Sequence, residues 1–194
     1  VLCAVNFGLV GKEYSNLAAM NMVSPAQDHD IRLGMKTGNQ YRVILTVFTE
    51  EHSIYRSKVY RISTKNPVEG ANLVINSSGK AMLKNPSEGE KGFLSPPEVI
   101  ETGSSKAKIS FESKKETLAS TALGETEKFG RLIRTPKTKP FNDHMVNVLG
   151  LKPGVDYFTE TILIDTRGNL YRSQTGTFTT PVEEENTDYG TNWA

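Results

Sequence analysis

Two Asp-His dipeptides, Asp28-His29 and Asp143-His144, carry the most versatile chemistry in the sequence. An imidazole titrates near neutrality and binds metals, so such a pair could act as ligands or as a pH sensor. Their matching places in a repeat support a plainer role, a strand-edge side chain bonding locally within each copy. His52 stands alone in a loop and reads as solvated. A second repeated group is Tyr55-Arg56-Ser57 and Tyr171-Arg172-Ser173. On a strand, Tyr and Ser share a face while Arg points the other way. Two such tyrosines could form a ladder for a partner or a sugar, although tyrosines more often pack on their own sheet. A third group is the basic run "RLIRTPKTKP", with Arg131, Arg134, Lys137 and Lys139 among Pro136 and Pro140. It could hold a polyanion. Nearby Glu125 and Glu127, and the lack of interleaved aromatics, favour an ordinary solvated edge.

Catalytic signatures are missing from the sequence. It has no Gly-rich phosphate loop, no Gly-x-Ser-x-Gly, no His-Glu-x-x-His and no cysteine pair for zinc. No active site, metal or cofactor is expected within these residues. The one cysteine, Cys3, excludes an intrachain disulfide and reads as a small core residue. Asn76-Ser77-Ser78 is a glycosylation sequon, relevant only in a glycosylating host. With 23 Lys and Arg against 22 Asp and Glu, the net charge of +1 gives no steering toward nucleic acid or membrane. No window approaches the ~18 apolar residues of a membrane helix.

The elements that must hold these groups are written twice. Aligning Gly34 with Gly150 gives an ungapped match through Thr64 and Thr180. Its identities are Gly34/Gly150, Lys36/Lys152, Gly38/Gly154, Tyr41/Tyr157, Tyr55/Tyr171, Arg56/Arg172, Ser57/Ser173 and Thr64/Thr180. Such a repeat means two copies of one supersecondary unit. The unit reads as β: "YRVILTVF" sets Tyr41, Val43, Leu45 and Val47 on the more buried face, alternating with Arg42, Ile44 and Thr46. "YFTETILI" repeats the pattern, and "DTRGN" turns it toward "LYRSQTGTFTT". Only "SNLAAMNM" has helix formers, and it is short and uncapped. The fold class expected is all-β. The second copy reads as seven short strands: "PPEVIETGSS", "KAKISFESKK", "TLASTALG", "FGRLIRTP", "HMVNVLGL" and the two just quoted.

At "LKPGVDY" the sequence resembles the Leu-x-Pro-Gly-Thr-x-Tyr corner of fibronectin type III domains. The longer run from His144 to Thr180 is similar to the variant found beside bacterial and phosphatase-type secreted enzymes and in phage structural proteins. The resemblance covers about Ser95 to Pro181. It implies antiparallel immunoglobulin-like β-sandwiches in tandem, each organised by a tyrosine corner at Tyr41 or Tyr157. Leu151 would enter the core while Pro153-Gly154 turns the chain. In the first copy Met35 and Thr37 replace Leu and Pro while Gly38 is kept, so the motif there is looser. The metal-binding domain of the similar phosphatases has no counterpart here.

The organisation expected is a partial sandwich over residues 1–66, lacking its first strands, and a connector with a possible hairpin over 67–94. A complete sandwich would follow over 95–181, then an acidic tail over 182–194. "VLCAVNFG" and "KEYSNLAAMNMV" correspond to middle strands of the complete copy; the missing first strands would come from an upstream segment of a longer parent protein, the favoured reading, or from a partner chain or the linker. The functional expectation is a non-catalytic spacer or assembly module of an extracellular, cell-surface or virion protein. Its partners would be other protein chains or flanking domains, with a surface glycan possible and neither nucleic acid nor membrane insertion expected. The alternatives are an accessory domain pair of a secreted hydrolase, or a carbohydrate-binding module.

Overall fold

The first copy comprises β1 (Leu2–Leu9), β2 (Asn16–Ala19), β3 (Gln40–Phe48), β4 (Ile54–Arg56) and β5 (Tyr60–Ser63), with β-branched and aromatic residues at alternate positions extending β1 and β3. The structure is a computed structural model that describes residues 2–19, 31, 33–49, 53–65, 89–135 and 139–182. These strands form one antiparallel sheet in the order β2-β1-β3-β4, with β5 continuing β4 along β3. The segment with helix formers is strand at Asn16–Ala19.

The second copy comprises a 3-10 turn (Gly89–Gly92), β6 (Phe93–Thr102), β7 (Lys106–Gly124), β8 (Arg131–Arg134), β9 (Phe141–Leu149), β10 (Asp156–Asp165), β11 (Leu170–Arg172) and β12 (Gly176–Thr179). Two features differ from the sequence expectation, and in one of them "LYRSQTGTFTT" is two short strands, β11 and β12, rather than one. In the other, "KAKISFESKK" and "TLASTALG" are a single 19-residue strand rather than two. Its first half pairs with β6 and β9, its second half with β8 and β10. Lys114, Lys115 and Glu116 are exposed between the halves, where the β9 ladder skips from Glu112 to Thr117. No Gly or Pro lies there to break the extended backbone, so the strand bends from one layer into the other. Phe93, Ile109, Phe111, Val146 and Val148 of one layer then pack on Ala119, Leu123, Tyr157 and Leu163 of the other, with Leu151 beside them. Two layers over one core make this copy an immunoglobulin-like sandwich.

The first copy supplies the counterpart of one layer only. β1 and β3 pair in the same register as the second half of β7 and β10: Leu2 faces Phe48 as Leu118 faces Ile164. Counterparts of β6, the first half of β7 and β9 are absent among the described residues. Asp28-His29, the connector hairpin and the acidic tail from residue 183 onward lie outside them.

Both faces of this sheet are used. Val5, Phe7, Tyr41 and Val43 form one cluster, with Leu33 and Met35 against it. The opposite face was expected to be the less buried, yet Ile44 and Thr46 are 0% and 2% exposed. Leu2, Ala4, Phe48 and Ile54 of that face share a core with Leu118, Ala122, Leu132, Ile162, Ile164 and Leu170. Those partners are the outward side chains of the sandwich's β7–β10 layer. The two copies therefore lie back to back, each covering the same face of the other.

Candidate functional site

The residues shared by the two copies hold backbone in place. Tyr41 Oη accepts a hydrogen bond from the Lys36 N–H at 2.9 Å, and Tyr157 Oη accepts one from Lys152 at 2.8 Å. Each tyrosine ring is buried at the start of its strand, so its hydroxyl ties the preceding bend to the core. Gly38 and Gly154 complete those bends at φ 82° and 66°, a region that side chains with a Cβ avoid. Leu151 is buried in the core, and Pro153 lies exposed at the bend. Thr64 Oγ1 donates to Lys36 O at 2.7 Å and accepts from Asn39 N–H. Thr180 Oγ1 does the same with Lys152 O at 2.6 Å and Val155 N–H.

Ser57 and Ser173 sit where the last strand of each copy is interrupted. Each Oγ accepts from the opposite backbone N–H, of Leu45 or Thr161, at 2.9 Å. Each hydroxyl then donates to the next residue's carbonyl. A single hydroxyl thus supplies the ladder bonds that the bulged backbone leaves unmade.

The arginines between Tyr and Ser point to the seam side. Arg56 donates across the seam to the Gly168 carbonyl of the other copy. Arg172 pairs with Glu160 at 2.8 Å, and the Glu160 side chain is only 1% exposed. Tyr171 packs against the sandwich core, and its hydroxyl donates to Asp165 Oδ2 at 3.3 Å. A Cβ on Gly92 would run into its ring, so the 3-10 turn closes over it. Tyr55 is half-buried. Thus Tyr171 is a packing residue, and Arg56 and Arg172 hold protein groups.

His144 lies on an edge strand and bonds locally, as expected, but it is buried rather than at the surface. β9 is an edge strand, but the imidazole faces inward, 2% exposed, stacked on Phe111 at 4.8 Å and against Phe141 at 4.3 Å. Its Nε2 lies 2.9 Å from Thr117 Oγ1 and 3.3 Å from Ser113 Oγ. Those hydroxyls flank the bend of β7, so the cluster is a polar plug where the strand changes layer. The hydroxyl–imidazole distances suit acyl-transfer chemistry, but Ser113 and Thr117 are each 1% exposed, which leaves a substrate no approach. His29 and His52 lie outside the described residues.

The basic run is dispersed. Arg131 donates to Leu149 O at 2.8 Å, and burial pushes its guanidinium pKa down. Arg134 and Lys139 are exposed, and Lys137 lies outside the described residues. Lys152 pairs instead with Glu125 at 2.8 Å, which holds its ammonium pKa up.

The turn read at "DTRGN" gains its cap, and one further group, Tyr14, had no reading from sequence. Asp165 accepts from the backbone N–H of Arg167 and Asn169 at 2.9 and 2.8 Å, capping the β10–β11 turn. Its position at the head of "DTRGN" was the available signal. Tyr14 donates its backbone N–H to Thr166 O at 3.1 Å, and the Arg42 guanidinium lies 4.0 Å from its ring. Gly168, at φ 89°, sits against that ring and Ile44; a Cβ there would stand 3.0 Å from Tyr14. The turn of one copy is therefore seated on the other. What this arrangement does chemically is join two sheets.

No protein-family model matches the chain, and no curated protein matches it. Among solved structures, the fibronectin type III domain of human fibronectin type III domain containing protein 3 is similar. The two share 16% identity at TM-score 0.38, covering 57% of this chain and 99% of that one. The chicken CNTN1 FN1-FN3 domains share 14% identity at TM-score 0.38, over 92% of this chain and 56% of theirs. Purple acid phosphatase PPD1 from yellow lupin seeds shares 10% identity at TM-score 0.37, over 93% and 36%.

Proposed function

We propose that the chain is a non-catalytic structural and interaction module, a stiff spacer or assembly element in a larger extracellular or virion-surface protein. The observation that carries this reading is the hydrophobic core shared by the two copies, with residues from β1, β3 and β4 on one side and β7, β8, β10 and β11 on the other. A joint of that kind fixes two modules at one angle, whereas an exposed linker alone would let them swing. The residues repeated between copies reinforce it, because each of the hydroxyls of Tyr41, Tyr157, Ser57, Ser173, Thr64 and Thr180 is engaged with backbone.

Backbone 15N relaxation on the full chain tests the spacer reading. Amides of β3 and β10 should report one common tumbling time and one diffusion tensor. Separate tumbling times for the two copies would remove it. Protease shaving of intact cells or particles that carry the parent protein tests the location: release of peptides from this chain supports surface display, and full protection contradicts it.

A further inference from the structure

At the centre of the seam, Asn6 and Thr46 point out of the first sheet into the apolar surface of the second copy. Both are 2% exposed, and neither Asn6 Nδ2 nor Thr46 Oγ1 has a hydrogen-bond partner among the described residues. They are diagonal neighbours on one face, since Ala4 stands opposite Thr46 and Asn6 opposite Ile44. Both line a small gap, shared with the aliphatic side chains of Leu118, Ile162 and Leu170 and with Ser120. The equivalent positions of the second copy hold Ala122 and Ile162, so the polar pair is particular to the first. We infer that the gap is a binding site for one buried water molecule that bridges Asn6 Nδ2 and Thr46 Oγ1.

Three observations combine in this assignment. Buried polar side chains are nearly always hydrogen-bonded, and an amide N–H has no apolar substitute for an acceptor. The gap has room for about one water molecule, the size at which a polar site hydrates and an apolar one stays dry. Asn6 offers a donor, and the hydroxyls of Thr46 and Ser120 can donate or accept, which meets the two to four partners a buried water requires. The water joins two strands of the first copy, with Ser120 of the second within the same lining. It therefore belongs to the joint between the copies.

The test uses the full chain. A 15N-edited water–protein NOE experiment on the Asn6 side-chain amide should give a cross-peak at the water frequency, retained in Thr46→Ser and lost in Thr46→Val. Thr46→Val should also melt lower than the parent by roughly 2–4 °C, because the water loses an anchor and Asn6 is left with a poorer partner. A dry gap gives the opposite sign: deleting an unpartnered hydroxyl would raise the melting temperature. Absence of the cross-peak in the parent protein, or a higher melting temperature for Thr46→Val, overturns the assignment. Should Thr46→Val fail to fold, the parent and Thr46→Ser spectra decide alone.

Discussion

Tyr41 and Tyr157 each hold a backbone N–H five residues back, and each has a buried ring that fixes where the hydroxyl can reach. Replacing Tyr157 by Phe keeps the ring and removes only the acceptor, leaving the Lys152 N–H to find water at the bend. The expected loss is about 1 kcal/mol in denaturant-unfolding stability, with the slope on denaturant unchanged. Tyr41→Phe should cost a similar amount, since its hydrogen bond differs little in length. Cys3 allows a second check. It is 8% exposed, and burial pushes its thiol pKa up to about 11. The thiolate is the reactive form, so at pH 8 a thiol reagent should label Cys3 only through opening of the first sheet. Labelling in native buffer should therefore be slow and become immediate in denaturant; fast native labelling would refute the burial. The two tyrosines, like Ser57 and Ser173, were legible in sequence as identities between copies. The bonds they make were not, because two copies of a serine do not say which backbone group the hydroxyl meets.

Among the described strands, alternation gave the extended backbone correctly and the crossing strand incorrectly. Lys114, Lys115 and Glu116 read as the end of one strand and the start of another. A charged, solvent-facing bend without Gly or Pro can instead stay extended while the ladder changes partners. Tight glycines are a better guide to where the chain does turn. Gly8 and Gly124 open the equivalent β1–β2 and β7–β8 connections, and both are hemmed in by the returning chain. A Cβ on Gly124 would stand 2.8 Å from Phe129 Cα and from Thr126 O, and one on Gly8 would meet the Glu13 carbonyl. Gly34, also repeated between copies, has nothing within 4 Å of such a Cβ. Hence Gly8→Ala and Gly124→Ala should each destabilise by about 1–3 kcal/mol through forced backbone movement, while Gly34→Ala should stay within about 0.5 kcal/mol. Thermal melts of the three variants measure this directly. Equal costs at all three positions would show that repetition, rather than close approach, governs these glycines.

For the molecule as a unit, the seam is the part that alternation concealed. Strands buried on both faces read as near-continuous apolar runs, and "VILTVF", "ETILI" and "LCAVNF" are such runs broken only by Thr, Glu and Asn. Those three polar letters nevertheless stand on a covered face, where Thr46, Glu160 and Asn6 are each 1–2% exposed. The copies are then linked mechanically, and a change on one should be felt in the other. Leu118→Asp supplies the decisive case. Leu118 belongs to the second copy but faces the seam, opposite in direction to the sandwich core lined by Ala119 and Leu123. An aspartate there would bury a charge between two apolar faces without disturbing Ile109 or Phe111 in the other half of β7. If the copies were independent modules, amide exchange in β3 would be untouched. With the seam as described, the Thr46 and Phe48 amides should exchange at least about tenfold faster, a change of about 1.4 kcal/mol in local opening. The Ile109 amide, held between β6 and β9, should change much less. Protection in β3 that survives Leu118→Asp would mean the shared core contributes no coupling, and the stiff-spacer reading would lose its physical basis.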